Sequence, residues 1–144
     1  KRVFRHVLER CAAAGDKIIT VHSVRSAKAV LEYVEAYLPP GRGKVVLHWF
    51  TGTKSEAKRA IELGCYFSIN AAMFTNERHL SMINAIPKDR LLTETDGPFT
   101  RVGDRLSVPS DVALVVKVLG GINNVPVDKM AEIIRSNLRA LLIK

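Results

Sequence analysis

Val45-Val46-Leu47-His48 is a short apolar run that ends in a histidine, and runs of this kind organise the chain. Ile18-Ile19-Thr20-Val21-His22 precedes it, and Tyr66-Phe67-Ser68-Ile69 and Leu91-Leu92-Thr93 follow it, at intervals of roughly 25 residues that leave room for a helix between neighbours. Unbroken apolar runs are typical of strands that are covered on both faces of a sheet. We therefore predict four parallel strands, of which the last extends to Thr95.

The segments between the strands have helical periodicity and helix-terminal residues. Ser26 is predicted to cap one helix, and Thr53 and Glu56 have the spacing of a capping box that opens another. Two further helices are predicted at residues 109–119 and 127–142. Strands and helices therefore alternate along the whole chain.

This alternation predicts a single α/β domain over residues 1–144, with four parallel strands and flanking helices. Four strand-helix units are half of a (β/α)8 TIM barrel, which needs about 250 residues in full. The alternative is an open doubly wound sheet. Because the chain does not begin with Met and starts inside a predicted helix, we expect a fragment or a processed chain.

Composition and charge narrow the functional classes. The chain has 144 residues, is 47% hydrophobic and 25% charged, and carries a net charge of +8, so it is globular and basic. A basic surface attracts polyanions, of which nucleic acid is the first candidate, although the charge could serve solubility alone. We find no membrane span, no secretory signal and no CxxC motif, and we expect a cytoplasmic protein with reduced cysteines.

Three polar residues occupy equivalent places in the predicted sheet. His22 and His48 end two strands, and Asp96 follows a third. The carboxyl ends of parallel strands lie at one edge, where active sites of such folds are built. Two imidazoles and a carboxylate that converge there predict a metal site, although each residue alone could equally be a buried structural one.

The segments around these residues resemble the TatD-like metal-dependent deoxyribonucleases, a family of (β/α)8 barrels in the amidohydrolase superfamily. The resemblance covers nearly the whole chain, and the segments that carry it follow in the family's order: Ile18 to Ser23, Leu47 to Thr53, Gly64 to Asn70 and Pro87 to Pro98. The amino-acid sequence of His48 to Gly52 and of Ser68 to Met73 is most similar to that of the TatD-type nuclease of the Qat anti-phage defence system. The resemblance implies the C-terminal half of the barrel.

The resemblance also implies roles for individual residues. His22 and His48 match the ligands after the family's fifth and sixth strands, and Asp96 matches the carboxylate that binds metal and takes a proton from water. Glu94 belongs to the same motif and either orients a ligand or is a buried structural carboxylate. The family's His-x-His and its fourth-strand Glu are absent, and Val24 stands where the family has an arginine.

The implied reaction is hydrolysis of a nucleic acid phosphodiester with one or two divalent cations, Zn, Mn, Ni or Mg. DNA is expected rather than RNA. Trp49, Phe50 and Phe74 are candidates for stacking on bases, with core or lid packing as the alternative. The remaining candidates for substrate contacts, of which the arginines could equally be solvated, are Arg25, Asn70, Arg101 and Arg105.

Half a barrel would hold an open site. We therefore expect residues 1–144 alone to bind metal weakly and to be inactive, with the missing N-terminal half or another subunit, and defence-complex proteins, as partners. One alternative function is an amidohydrolase-type reaction on a small ester, lactone or amide. Another is a non-catalytic nucleic-acid-binding scaffold, against which the intact His22, His48 and Asp96 argue.

Overall fold

A computed structural model describes residues 1–143, which form four parallel strands, a small hairpin and six helices. Short 3-10 turns lie at Ala71–Thr75, Lys88–Arg90 and Pro109–Asp111. In chain order the helices and strands are α1 (Arg2–Ala14), β1 (Lys17–His22), α2 (Ala27–Tyr37), β2 (Gly43–His48), α3 (Lys54–Glu62), β3 (Tyr66–Ile69), α4 (Glu77–Ile83), β4 (Leu91–Thr93), β5 (Arg101–Val102), β6 (Arg105–Leu106), α5 (Val112–Ile122) and α6 (Val127–Leu142).

The four main strands form one parallel sheet in the order β1-β2-β3-β4. Consecutive strands are therefore neighbours, which is the topology of a barrel wall and not of an open doubly wound sheet. The register pairs His22 with His48, and His48 with Ser68. The predicted α/β fold with four parallel strands is confirmed, and the register sets both strand-terminal histidines side by side.

The apolar runs of β2, β3 and β4 are covered on two faces, as their composition predicts, whereas β1 is largely uncovered and its Ile18 is exposed. Leu47 and Phe67 belong to the large core that the helices complete, whereas Val46, Tyr66 and Leu92 point to the other face. This second face is covered by Leu141 of α6, with which those three residues form a separate buried cluster. Alternate strand residues therefore enter different clusters, so both faces of β2 need apolar side chains.

Helix α6 is fixed beneath the sheet by polar contacts at two points. Asn137 is buried and donates from Nδ2 to the carbonyls of Lys88 and Leu91, 2.7 and 2.8 Å away. Lys44 of β2 donates from Nζ to three carbonyls at the helix C-terminus, those of Ala140, Leu141 and Ile143. These contacts hold α6 against the beginnings of β2 and β4.

Several local predictions are confirmed, and others shift. The Thr53–Glu56 capping box is present, whereas Ser26 precedes α2 without a side-chain capping bond. Helix α5 begins at Val112 after a 3-10 turn, three residues later than predicted, and β4 ends at Thr93. Between residues 1 and 143, no helix is both long and apolar enough to cross a bilayer.

Candidate metal-binding site

The carboxyl edge of the sheet brings together three side chains from distant parts of the sequence. His22 and His48 are register partners at the ends of β1 and β2, and their ring centroids lie 5.3 Å apart. Asp96 follows β4, and its Oδ1 lies 3.2 Å from Nε2 of His48. The predicted convergence of two imidazoles and one carboxylate at this edge is therefore present.

The backbone turns sharply at the positions that follow the strands. Asp96 has φ 55° and Trp49 has φ 43°, both in the left-handed region, which non-glycine residues rarely adopt. A β-carbon at Gly97 would lie 2.2 Å from the carbonyl oxygen of Ser107, so only glycine fits there. This close approach of the backbone at Gly97 fixes the loop directly after Asp96.

The same loop is held to the strand end by hydrogen bonds. Thr100 is buried and donates from its hydroxyl to the carbonyl of Thr95, and Ser107 donates from its backbone amide to the carbonyl of Thr100. The hairpin of β5 and β6 lies between these two anchors, at residues 101–106. The left-handed conformation of Asp96 is therefore supported from both sides of the loop.

Glu94 is the centre of a hydrogen-bond network that orients His48. Its Oε2 lies 2.5 Å from Nδ1 of His48 and also accepts from the hydroxyl of Ser68, while its Oε1 accepts from Nδ2 of Asn70 at 3.0 Å. The backbone amide of Glu94 also donates to the carbonyl of Ile69. An ionised carboxylate only accepts, so Nδ1 of His48 carries the proton. The orienting role predicted for Glu94 therefore has a geometric basis.

The orientation of His48 has a consequence for its other nitrogen. With the ring proton on Nδ1, the Nε2 of His48 presents a lone pair toward the carboxylate oxygen of Asp96. Two electron-rich atoms at 3.2 Å repel unless positive charge lies between or beside them. A second ring proton on His48 or a divalent cation supplies that charge, and one imidazole nitrogen with one carboxylate oxygen is a donor pair that Zn, Mn and Ni accept.

The three predicted ligands are close, but they do not form a closed metal cage. Across residues 1–143, no group of three His, Cys, Asp or Glu side chains is arranged to hold a metal ion by itself. His48 and Asp96 make a direct contact, whereas His22 lies beside the ring of His48. The residues present therefore fit part of a metal site, and the ligand set itself stays a prediction.

A family comparison decides which group of proteins this geometry belongs to. The family model of the TatD-related DNases matches residues 1–143. The chain belongs to this family. The resemblance inferred from the segments around His22, His48 and Asp96 is therefore confirmed at the family level, whereas the Qat subgroup is not tested by the comparison.

Curated relatives carry nuclease or hydrolase names. The chain is 37% identical over 82 residues to a protein named Deoxyribonuclease Tat-D of Schizosaccharomyces pombe, covering 57% of this chain and 26% of that protein. It is 33% identical over 104 residues to a 3'-5' ssDNA/RNA exonuclease TatD of Cronobacter turicensis, covering 70% and 39%. An uncharacterized metal-dependent hydrolase of Buchnera aphidicola is 28% identical over 92% of this chain and 52% of its own length.

Solved TatD structures share the fold. The TatD homologue YjjV of Escherichia coli K12 superposes with a TM-score of 0.75 at 24% identity, over 88% of this chain and 49% of that one. A TatD-family hydrolase of Entamoeba histolytica gives a TM-score of 0.76 at 17% identity, over 86% and 50%. The chain spans about half the length of these relatives or less, and its four strands correspond to half of a TIM-type barrel.

The aromatic candidates of this TatD chain divide by burial. Phe50 is fully buried and packs edge-on against Phe67, at 5.4 Å between ring centroids, so its predicted role in base stacking is wrong. The apolar environment of the core, which the sequence offered as the alternative, is where it lies. Trp49 and Phe74 are partly buried against the same core, and their contact with substrate stays a prediction.

The polar residues predicted to contact substrate differ in the contacts that they already make within the protein. Arg105 forms a two-point contact with the carboxylate of Asp111, and Arg101 donates to the carbonyl of Asp104, so both contribute to the fold of the loop. Asn70 is fully buried and donates to Glu94, which makes it a support of the site and not an accessible substrate contact. Arg25 is exposed and stays a candidate.

Ser68 is the site residue that sequence reasoning missed. It lies inside the apolar run of β3, is 7% exposed, and its hydroxyl donates to Glu94. A polar residue that interrupts a buried strand is itself a signal, because a buried hydroxyl needs a partner. The partner could not be identified from sequence, since Glu94 directly follows the neighbouring strand β4.

Proposed function

We propose that this TatD-family protein hydrolyses phosphodiester bonds of DNA, using one or two divalent cations held in part by His22, His48 and Asp96. The observation that carries the proposal is the contact between Nε2 of His48 and Oδ1 of Asp96, with Nδ1 of His48 engaged by Glu94. This arrangement leaves two metal-ligating atoms facing each other at the carboxyl edge of the sheet.

Each residue of the site has a chemical task in this proposal. A bound divalent cation neutralises phosphate charge and lowers the pKa of water. Asp96, whose side chain is 19% exposed, would hold the cation together with His48 and would accept the proton of the attacking water. Glu94 fixes the tautomer and the ring orientation of His48, so that its Nε2 remains a ligand.

The choice of DNA as substrate rests on charge and on the relatives. The chain carries a net charge of +8, which favours a polyanion over a small neutral ester. The names of two relatives refer to deoxyribonuclease and to single-stranded DNA and RNA exonuclease activity. Single-stranded DNA is therefore the first substrate to test, and RNA is the second.

A cleavage assay with a matched pair of variants tests the proposal. The protein at its full natural length is incubated with labelled single-stranded DNA, RNA or small esters, in the presence of Mn, Zn, Mg or Ni. We expect metal-dependent cleavage of DNA that Asp96→Asn reduces by at least about a hundredfold, while Asp104→Asn, an exposed carboxylate of the hairpin, retains it. Ester hydrolysis without DNA cleavage would overturn the proposal.

A narrower role in anti-phage defence is a separate part of the proposal. It rests on the amino-acid sequences of the segments His48 to Gly52 and Ser68 to Met73, which are most similar to those of the Qat nuclease component. Plaque counts on phage-infected bacterial cells with and without the protein test this role. Protection that Asp96→Asn abolishes would support it, and equal plaque counts with and without the protein would refute it.

A further inference from the structure

A cleft lies beside the candidate metal-binding residues, on the same edge of the sheet. It has a volume of about 480 Å³, which is large enough for a nucleotide unit. Its wall begins at Ser23, one residue after His22, and is completed by Thr51 and Gly52, which follow β2 beyond His48. The cleft and the candidate metal site therefore share the loops that leave β1 and β2.

The floor of the cleft is the N-terminal turn of α2. Ser26, Ala27, Lys28 and Ala29 all line it, and they are the cap and the first three residues of an 11-residue helix. The amides of a first turn have no partner within their helix. Here no side chain caps them and no acidic residue lies in the turn. The partial positive charge of the helix terminus is therefore directed into the cleft without compensation.

Three cationic side chains surround this helix terminus. Arg25, Lys28 and Arg78 line the cleft, all three are exposed, and none of them forms an ion pair within residues 1–143. The left-handed conformation of Arg25, with φ 53°, places a rarely adopted backbone turn at the entrance of α2.

A buried hydroxyl in the wall independently indicates a missing ligand. Ser23 is 2% exposed, and its Oγ has no hydrogen-bond partner within the described residues. A buried hydroxyl without a partner is costly, so a group that pairs with it is expected. The backbone carbonyl of Ser23 accepts from the amide of Ser26, so the residue is already tied to the helix terminus.

Two carboxylates also line the cleft, and they do not cancel its charge. Glu56 is occupied by its capping box, since its Oε2 accepts from the amide and the hydroxyl of Thr53 at 2.7 and 2.9 Å. Glu32 is exposed and lies in the second turn of α2, where it adds one negative charge against three positive ones. The cleft therefore remains cationic, with a helix terminus at its floor.

We propose that this cleft binds a backbone phosphate of the nucleic acid strand, next to the phosphodiester that reacts at the metal site. The first-turn amides of α2, Lys28 and Arg78 hold the phosphate oxygens, and Ser23 completes their hydrogen bonds. The inference rests on the proposed nuclease function for the identity of the strand. It adds a contact that holds the strand at a fixed distance from His22 and His48.

Binding of a short oligonucleotide tests the cleft directly. All proteins carry Asp96→Asn at full natural length to prevent cleavage, and anisotropy of a labelled dT12 gives Kd as a function of salt. With Lys28→Gln and Arg78→Gln together, we expect Kd to rise about tenfold and the slope of log K against log salt to flatten by about 0.7 for one lost phosphate. Lys117→Gln with Arg135→Gln, on α5 and α6, is the charge-matched control.

A second variant separates binding from folding. Ser26→Asp places a carboxylate at the cap of α2, where it should maintain or raise the melting temperature because aspartate caps helices well. The same carboxylate occupies the anion position, so we expect a Kd about tenfold weaker. An unchanged Kd with Ser26→Asp, or equal effects of the cleft pair and the control pair, would overturn the proposal.

Two further measurements assign the source of the phosphate and separate the two proposals. Titration with inorganic phosphate measures free-ion binding; if the cleft variants lose it but bind dT12 like the parent, the cleft takes a free ion and the inference is wrong. If the protein that retains Asp96 cleaves DNA with a KM that Lys28→Gln and Arg78→Gln do not raise, the inference fails and the nuclease function stands. If the cleft variants bind dT12 more weakly but the protein that retains Asp96 does not cleave DNA, the inference about the cleft stands and the nuclease function fails.

Discussion

Glu94 accepts hydrogen bonds from three side chains that lie on two other strands. His48 ends β2, whereas Ser68 and Asn70 belong to β3 and to the residue just beyond it. The register that sets His48 opposite Ser68 makes this network possible, because both then lie level with the carboxylate. With three hydrogen-bond partners, the Glu94 side chain has little conformational freedom. It therefore also restricts the orientation of the His48 imidazole.

Replacing Glu94 by glutamine should weaken metal binding without removing a ligand. Glutamine retains the size of the side chain but turns an amide group toward donors that need an acceptor, so His48 loses its fixed tautomer. We expect the affinity for Mn or Zn to fall about 10- to 100-fold, measured by titration calorimetry on the protein at full natural length. Glu62→Gln, on the exposed face of α3, is the control; equal affinities for both variants would contradict the role of Glu94.

At the scale of elements, the loop after Asp96 is stabilised by an ion pair between Asp111 and Arg105, which was predicted from sequence as a candidate substrate contact. The Arg105 guanidinium holds the pKa of the Asp111 carboxyl well below its usual value, at about 2, and the amide of Val108 adds a second donor. This pair connects the hairpin strand β6 to the 3-10 turn that leads into α5. Arg105 therefore stabilises the loop that follows Asp96.

This pair should give the loop a pH dependence with a defined sign. Because the pKa of Asp111 is lowered from 3.8 to about 2 in the folded protein, its stabilising contribution is complete above pH 3.8 and is lost as the pH falls toward 2. Arg105→Gln should therefore lower the melting temperature by about 1–2 °C at pH 6 and by less at pH 2. Arg101→Gln, which loses only a contact to a carbonyl, should show no such dependence in this range.

The elements that local patterns specify were the ones that sequence could predict. The capping box at Thr53 and the apolar runs of β1 and β2 depend on residues close in sequence, and their structures follow. The hairpin of β5 and β6 has only two residues in each strand, which is too short for an alternating pattern to be visible. Phe50 was a candidate for base stacking, with core packing as the alternative, because a position after a strand says nothing about which way the chain turns.

At the scale of the whole molecule, the parallel strands and the common edge of His22, His48 and Asp96 followed from alternation alone. Parallel strands joined by helices have one carboxyl edge, so residues after their ends must meet there. The distances within that edge did not follow, because they depend on register and on left-handed turns at Trp49 and Asp96 that no local pattern specifies. Sequence therefore predicts which residues are neighbours, and the structure adds which atoms face each other.

The sheet of residues 1–143 has two outer strands, β1 and β4, that each pair with one neighbour only. The same residues contain no group of three side chains arranged to hold a metal, and the solved TatD relatives are about twice as long. We therefore expect residues 1–144, expressed alone, to bind Mn or Zn at least about tenfold more weakly than the protein at full natural length, and not to cleave DNA. Calorimetry and a cleavage assay on both proteins, side by side, measure this difference. DNA cleavage by residues 1–144 at the rate of the full-length protein would mean that His22, His48 and Asp96 suffice, and that no ligand from outside these residues is needed.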